Sequence, residues 1–245
     1  MRIIIATSDK TSYILEAFAH QYNKYCDEPI DVLGYSHFPQ INFPCISLSD
    51  TQLHIGNWCK DLYSYIHGIE DEFVIFGLDD FIPTAGFDYE VLNKGLELMI
   101  ANDRIGRFEL GAGHQYHITP PTVIEKCDGF DVYKYAPDAL YKISTQFSVW
   151  RKDYLLKQLN HDWSPWDFEV IGSREAAMDG YDVIATTGRT AWSWVWAGAI
   201  SSRHPNRVNI SGLKDEDVKE MIALKILNIH HLQYGMEIGQ NKSYE

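Results

Sequence analysis

Asp79 and Asp80 are the residues whose type and position most directly suggest chemistry in this chain. They follow Phe73-Val-Ile-Phe-Gly-Leu78, a β-favouring apolar run that reads as a strand, and Pro83 then bars continuation as an inner strand. In α/β proteins ligands gather at the C-terminal ends of strands. Two carboxylates delivered there could hold a Mg²⁺-type cation against a phosphate-bearing substrate, since such cations take oxygen ligands. The plainer alternative is a turn in which one Asp caps and the other is solvated.

A second constellation is Ser164-Pro165-Trp166-Asp167-Phe168-Glu169. Ser at the N-cap, Pro at the first helical position and Asp three residues after Ser form a helix start close to a capping box. That alone explains Asp167. A carboxylate at such a helix start, facing a substrate pocket, could equally take a proton from an acceptor hydroxyl. Residues 167 and 169 are two apart, so on a helix they face different sides and at most one projects into a shared site. Arg174, five residues beyond Glu169, is expected to pair with Glu169 or with a phosphate, the former being the more common arrangement.

Ten His residues are scattered without H-x-x-x-H spacing, and most read as loop or surface residues, including His114 and His117. His204, in Ser-Arg-His-Pro, is the exception that would complete a metal shell begun by Asp80. The His230-His231 pair falls on an expected terminal helix over about 215–234 and reads as structural. Nucleophilic catalysis has little support, because G-x-S-x-G is absent and no Cys has an activating setting. Trp192, Trp194 and Trp196 alternate, as on one face of a strand, and read as core, as a lid contact or as a sugar platform.

The elements that must position these residues follow from hydrophobic period. Ile3-Ile4-Ile5-Ala6 is the pattern of a strand buried on both faces, and a helix is expected over about 11–25. A second strand over 30–34, a helix over about 53–69 and the 73–78 strand complete a β-α-β-α-β run, hence parallel strands with crossovers. Helices are expected over about 89–101 and 153–159, and strands over 104–110 and 143–150. Residues 111–140, rich in Gly, Pro, Tyr and His, read as extended or hairpin structure. The fold class is therefore α/β, a Rossmann-type, mostly parallel mixed sheet flanked by helices. Without a clear linker, residues 1–245 read as one domain.

Composition narrows the function classes. The chain has 245 residues, 45% of them hydrophobic, enough for a substantial core. With 21 basic and 34 acidic residues, the net charge of −13 argues against non-specific duplex binding, so nucleic acid is not an expected partner. Cys26, Cys45, Cys59 and Cys127 lack C-x-x-C spacing and suit structural thiols in a reducing setting. The N-terminal apolar run is too short for a signal peptide, and no stretch approaches the roughly 20 apolar residues that span a bilayer. A soluble, cytoplasmic protein without integral membrane association is the expectation. Neither G-x-G-x-x-G after the first strand nor G-x-x-x-x-G-K-[ST] occurs, which disfavours dinucleotide dehydrogenases and P-loop NTPases.

Several motifs together resemble GT-A-fold glycosyltransferases, most closely bacterial and viral surface-polysaccharide transferases. They are Asn57-Trp58, Asp71-Glu72, Leu78-Asp79-Asp80-Phe81, Gln146, Trp150-Arg151, and Ser164-Pro-Trp-Asp-Phe-Glu169 through Gly172-Ser173. The likeness spans about residues 1–175 and fades beyond. It implies a nucleotide-diphosphate sugar, with a UDP-sugar first in line, bound by residues 1–110, and an acceptor bound by 111–245. Thr7, Ser8 and Asp9 would touch base and ribose, with Trp58 and Gln146 also on the donor side. Asp79 would lie near ribose or phosphate, and Asp80 would coordinate Mn²⁺ or Mg²⁺, with His204 as a further ligand. Asp167 is the first candidate base for an inverting transfer and Glu169 the second. The Asp79-Asp80 pair departs from a full D-x-D.

The acceptor implied is a glycan or other hydroxyl, a modified nucleobase in phage DNA included. Two rivals stand beside this reading. A nucleotidyltransferase shares the Rossmann-like start, but usually carries a Gly-rich basic loop where this chain has Ala6-Thr-Ser-Asp-Lys10. A carbohydrate-binding protein built on a decayed transferase would bind sugar without turnover.

Overall fold

A computed structural model describes residues 1–9, 12–48, 57–112, 119–159, 161–196 and 212–227. Strand β1 (Arg2–Ala6) shows why a continuously apolar run was needed: Ile3 and Ile5 enter one core and Ile4 and Ala6 the other. It pairs in parallel with β2 (Ile30–Gly34) on one side and β4 (Phe73–Leu78) on the other, and β3 (Cys45–Ser47) extends the sheet beyond β2. In β4, too, Ile75 faces one core while Val74 and Phe76 face the other.

The remaining strands are β6 (Ile105–Ala112), β7 (Thr122–Cys127), β8 (Phe130–Lys134), β9 (Ser148–Arg151) and β10 (Asp182–Gly188), with β5 (Phe81–Pro83) standing outside the main sheet. The nine-stranded order is β3-β2-β1-β4-β9-β6-β10-β8-β7. Only β8 and β9 run against the other seven strands. The sheet is thus mixed and mostly parallel, the expected class. Residues 122–134 form the hairpin anticipated for the Gly- and Tyr-rich stretch.

One core lies beneath α1 (Ser12–Tyr25) and α3 (Tyr89–Ala101), and contains Phe18, Tyr22, Val91, Met99, Phe108 and Phe147. The other lies beneath α2 (Trp58–His67), α4 (Lys152–Leu159) and α5 (Pro165–Ala176), and contains Trp58, Leu62, Trp150, Leu155 and Phe168. A short sheet of β5 and β11 (Trp194–Trp196) leads toward α6 (Asp215–Ala223), which packs Val218 and Met221 against Ile14 and Ala17 of α1. No helix among the described residues is long and apolar enough to cross a membrane.

Three expectations change. Of the strand expected over 143–150, only Ser148–Arg151 joins the sheet. Residues 143–147 are buried but irregular, because side chains rather than a neighbouring strand take much of their backbone hydrogen bonding. The terminal helix ends at Ala223, where Lys225 adopts φ 61°, a left-handed backbone that an α-helix cannot continue through; residues 228–234 lie outside the described residues. Trp192 precedes β11 and is wholly buried, as the core reading expects, whereas Trp196 at the end of β11 is exposed, so the core reading does not extend to all three indoles.

Candidate active site

The C-terminal ends of β1 and β4 meet. Ala6 pairs with Leu78, the Asp79 amide donates to the Ala6 carbonyl at 3.2 Å, and the Thr7 hydroxyl donates to Asp79 Oδ2 at 2.6 Å. Asp79 is buried, and burial pushes its carboxyl well above the usual range; the Thr7 hydroxyl opposes this and the neighbouring Asp80 adds to it. Asp80 is half-buried and is pushed up to about 6, first by burial and also by the charge of Glu169, against a hydrogen bond from Trp196. Asp80 Oδ1 is buried without a hydrogen-bond partner. A polar atom left so is costly unless water or a ligand meets it.

The irregular segment before β9 forms the second wall. Thr145 accepts from the Leu78 amide through its carbonyl at 3.2 Å, which ties the segment to the end of β4. Its own amide and hydroxyl both donate to Glu169 Oε1 at 2.8 Å. The segment is held in this non-strand path by Arg107 of β6, which is fully buried. Arg107 donates to Ser148 Oγ at 2.9 Å, to the Lys142 carbonyl at 2.8 Å, to Ser144 Oγ at 2.9 Å and to Glu109 Oε2 at 3.1 Å. Gly77 completes the arrangement: a Cβ there would overlap the Phe147 ring, so only glycine lets Phe147 lie across β4, where it packs against Phe81.

Helix α5 brings Glu169. Its start is the capping box read from the sequence: Ser164 Oγ accepts from the Asp167 amide at 3.2 Å, and Asp167 Oδ2 accepts from the Ser164 amide at 3.1 Å. Asp167 also takes the Ser164 hydroxyl at 2.7 Å, and these bonds hold its carboxyl below the ordinary value. Asp167, expected as the first candidate base, is engaged at the helix end, while Glu169 turns toward Thr145 and acts electrostatically on Asp80. The partner expected for Glu169 changes as well, since Thr145 and not Arg174 holds it.

Trp196 closes the other flank. Its Nε1 donates to Asp80 Oδ2 at 3.0 Å. The pairing of β11 with β5 sets this contact, because Trp196 lies opposite Phe81, the residue after Asp80.

The remaining expected residues divide. Asp9 accepts from the Ser36 amide at 3.0 Å, the Ser36 hydroxyl at 2.6 Å and the His37 amide at 3.0 Å. Partial burial would raise its carboxyl, but these bonds hold it down at about 2. Asp9 therefore ties the loop after β1 to the turn after β2. Ser8, half-buried, lies between it and Thr7. Gln146 is buried next to Thr145, and its carbonyl accepts from the Ser148 hydroxyl at 2.9 Å. Trp58, expected on the donor side, instead packs its ring in the core against Phe76 at 6.1 Å and Phe168 at 5.7 Å. His204 lies outside the described residues, as do His114 and His117.

Two contributors escaped sequence reading, Thr145 and the Trp196–Asp80 bond. A signal for the first did exist: Ser144-Thr145-Gln146 interrupts a buried stretch between Ile143 and Phe147 with three polar side chains. Nothing in the sequence indicated that β11 would lie beside β5.

Among the described residues no three His, Cys, Asp or Glu side chains converge as a metal cluster. The donor set suits another mode, in which one or two carboxylates hold the cation and substrate phosphates and water fill the rest of its shell. Asp80, with its unpartnered Oδ1, fits that mode.

No protein-family model matches the chain. A stretch of 120 residues is 28% identical to the mitochondrial DNA topoisomerase 2 of Dictyostelium discoideum; it covers 47% of this chain and 9% of that protein, so the chain spans about a tenth of the curated relative it matches. Among solved structures, the chain is similar to residues 1–349 of S. aureus TarS, with 14% identity and a TM-score of 0.47, over 91% of this chain and 64% of that one. It is also similar to a cytidylyltransferase from Leptospira borgpetersenii serovar Hardjo-bovis, with 10% identity and a TM-score of 0.46, over 100% and 98%. The galactosyltransferase LgtC, in complex with donor and acceptor sugar analogs, shows 12% identity and a TM-score of 0.37, over 76% and 73%. None of these likenesses assigns an activity or a residue role to this chain.

Proposed function

We propose that the chain transfers a sugar from a nucleotide-diphosphate sugar to an acceptor hydroxyl. The observation that carries the reading is the meeting of three acids from two elements: Asp79 and Asp80 at the end of β4, and Glu169 of α5 acting on Asp80. Acids gathered where strands end, one buried and two half-buried, have a use when a substrate brings its own charge and polar groups to them.

Glu169 is the general base in this proposal. Its Oε1 is held by the Thr145 amide and hydroxyl, which orient the carboxylate without neutralising it. It is half-buried, so an acceptor hydroxyl can approach and hand over its proton as the new glycosidic bond forms. Asp167, held low by its capping bonds, is the weaker base. Thr7 keeps the Asp79 carboxyl facing the end of β1, and Thr7, Ser8 and Gln146 are assigned to the donor side. Asp80 would hold a Mn²⁺ or Mg²⁺ ion, which supplies Lewis-acid stabilisation of the negative charge developing on the leaving diphosphate.

The test is a thermal-shift panel of UDP-, GDP-, TDP- and CMP-sugars with and without Mn²⁺, followed by analysis of products. A ligand that binds only the native state raises the melting temperature with its occupancy. A shift with one nucleotide family and release of nucleoside diphosphate is the expected result. Release of pyrophosphate would identify nucleotidyl transfer instead, and silence across the whole panel would remove the donor from the reading.

A further inference from the structure

The Trp196 indole is fixed at one edge and open on its face. Its N–H is engaged by Asp80, yet 52% of the residue is exposed; Trp166 on α5 is more open still at 66%, whereas Trp150 and Trp192 are wholly buried. Leaving a large apolar ring in water forgoes the stabilisation that burial would bring, so the exposure needs a reason. The strand beneath it is firmly seated. Trp194 packs edge-on to Phe81 at 6.1 Å and to Phe147 at 5.5 Å, and it presses on Gly111, where a Cβ would overlap its ring. Val195, on the opposite side of β11, packs into the cluster of α1 and α6. Two residues of β11 are thus anchored in the protein, and the third presents its ring at the edge of Asp80.

From this we infer that Trp196 is the stacking platform of the acceptor subsite, and that the acceptor it takes is a pyranoside. The inference rests on the transferase reading and names its acceptor class. An indole suits a pyranose because the sugar's C–H face is apolar and its hydroxyls project sideways, where polar groups can meet them. Asp80 is that neighbour on the platform's edge, and Glu169 acts on the same carboxylate. A sugar lying on Trp196 therefore has its rim toward the acids, which is what transfer to a ring hydroxyl requires. An acceptor without such an apolar face would gain nothing from the exposed indole.

The experiment measures binding of methyl β-glucopyranoside, methyl β-galactopyranoside and methyl N-acetyl-β-glucosaminide to the full chain, by saturation-transfer NMR and tryptophan fluorescence. Wild type, Trp196→Ala and Trp196→Phe are compared, with circular dichroism and melting temperature confirming that each is folded. At least one pyranoside is expected to bind wild type, to weaken about tenfold in Trp196→Ala, and to stay within about threefold in Trp196→Phe, which keeps a ring but loses the bond to Asp80. Unchanged affinity in Trp196→Ala, or no pyranoside binding to wild type, overturns the inference. If Trp196→Phe falls as far as Trp196→Ala, the indole acts through its N–H on Asp80 and the platform is likewise rejected. Nucleotide-sugar binding to wild type is followed in the same samples. Its absence sinks the transferase reading, whereas intact donor binding with Trp196-independent pyranoside binding sinks only the platform.

Discussion

Two groups of charged side chains sit on this sheet, and they are treated in opposite ways. On β6, Arg107 and Glu109 are both buried, and the guanidinium is met by a carboxylate, two hydroxyls and backbone carbonyls, while Tyr135 adds a 2.8 Å bond to Glu109. At the end of β4, acids meet acids. No Lys or Arg among the described residues forms an ion pair with Asp79, Asp80 or Glu169, and Asp80 retains an unpartnered oxygen. Arg107, Glu109 and Asp79 are buried, while Asp80 and Glu169 are half-buried. Each group keeps one buried oxygen without a partner, Glu109 Oε1 and Asp80 Oδ1, so the difference lies in the cation: Arg107 sits against Glu109 and holds the chain in place, whereas Asp79 and Asp80, without a cation, are pushed toward the protonated form and favour a ligand that brings one. The two groups are also joined, since Arg107 holds the segment that carries Thr145 to Glu169.

The largest effect should come from removing the clamp. Arg107→Met leaves Glu109 buried without its cation and should cost about 3–5 kcal/mol of folding stability in a denaturant titration. A loss under about 1 kcal/mol would mean that the segment before β9 is held by packing alone, and the contrast would fail.

Asp80→Asn should act in the opposite direction on stability. Transfer should fall by about 10²–10³-fold. The Asp80 carboxyl is raised from 3.8 to about 6, so the folded state binds the proton more tightly than the unfolded chain does. The carboxylate therefore contributes no penalty below about pH 4, and its destabilisation grows as pH rises through about 6, reaching on the order of 2 kcal/mol. Asp80→Asn should melt about 4–8 °C above wild type at pH 8 and show no comparable gain at pH 4. A variant destabilised at both pH values would make Asp80 a structural residue.

Glu169→Gln should lower kcat about 100-fold, with the donor KM little changed. Asp167→Asn should lower the melting temperature slightly through the cap and leave transfer within about threefold. If the two variants exchange phenotypes, Asp167 is the base. Gly77→Ala offers a finer probe. The added methyl group must displace Phe147, so a penalty of about 1–3 kcal/mol is expected together with reduced transfer. Full activity with normal stability would show that the position of Phe147 is unimportant to the site.

Much of the scaffold was legible from local pattern. Ile3-Ile4-Ile5 announced a strand covered on both faces, Ser164-Pro165 and Asp167 announced a helix start, and Phe73–Leu78 announced a strand with two acids at its end. The misreadings fall where long-range partners overrode local preference. Residues 143–147 look like a strand by composition, but their hydrogen-bonding groups are taken by Arg107, Glu169 and Ser173, residues between 24 and 37 positions away in the sequence. The resemblance put Trp58 on the donor side, but the helical spacing it shares with Leu62 and Ile66 places its ring against Phe76 and Phe168.

What the sequence determined by itself is the alternation of elements and the presence of acids where β4 ends, because hydrophobic period and capping act over a few residues. The partners that each acid acquires, those of α5 included, were decided only by tertiary structure. Whether a carboxylate caps its own helix, like Asp167, or leans on another segment, like Glu169, depends on which groups the folded sheet brings within hydrogen-bonding distance. The same holds for Trp196 and Asp80, which are 116 residues apart in the chain and meet because β11 pairs with β5. Local sequence sets which conformations are cheap, and long-range packing sets which neighbours those conformations acquire.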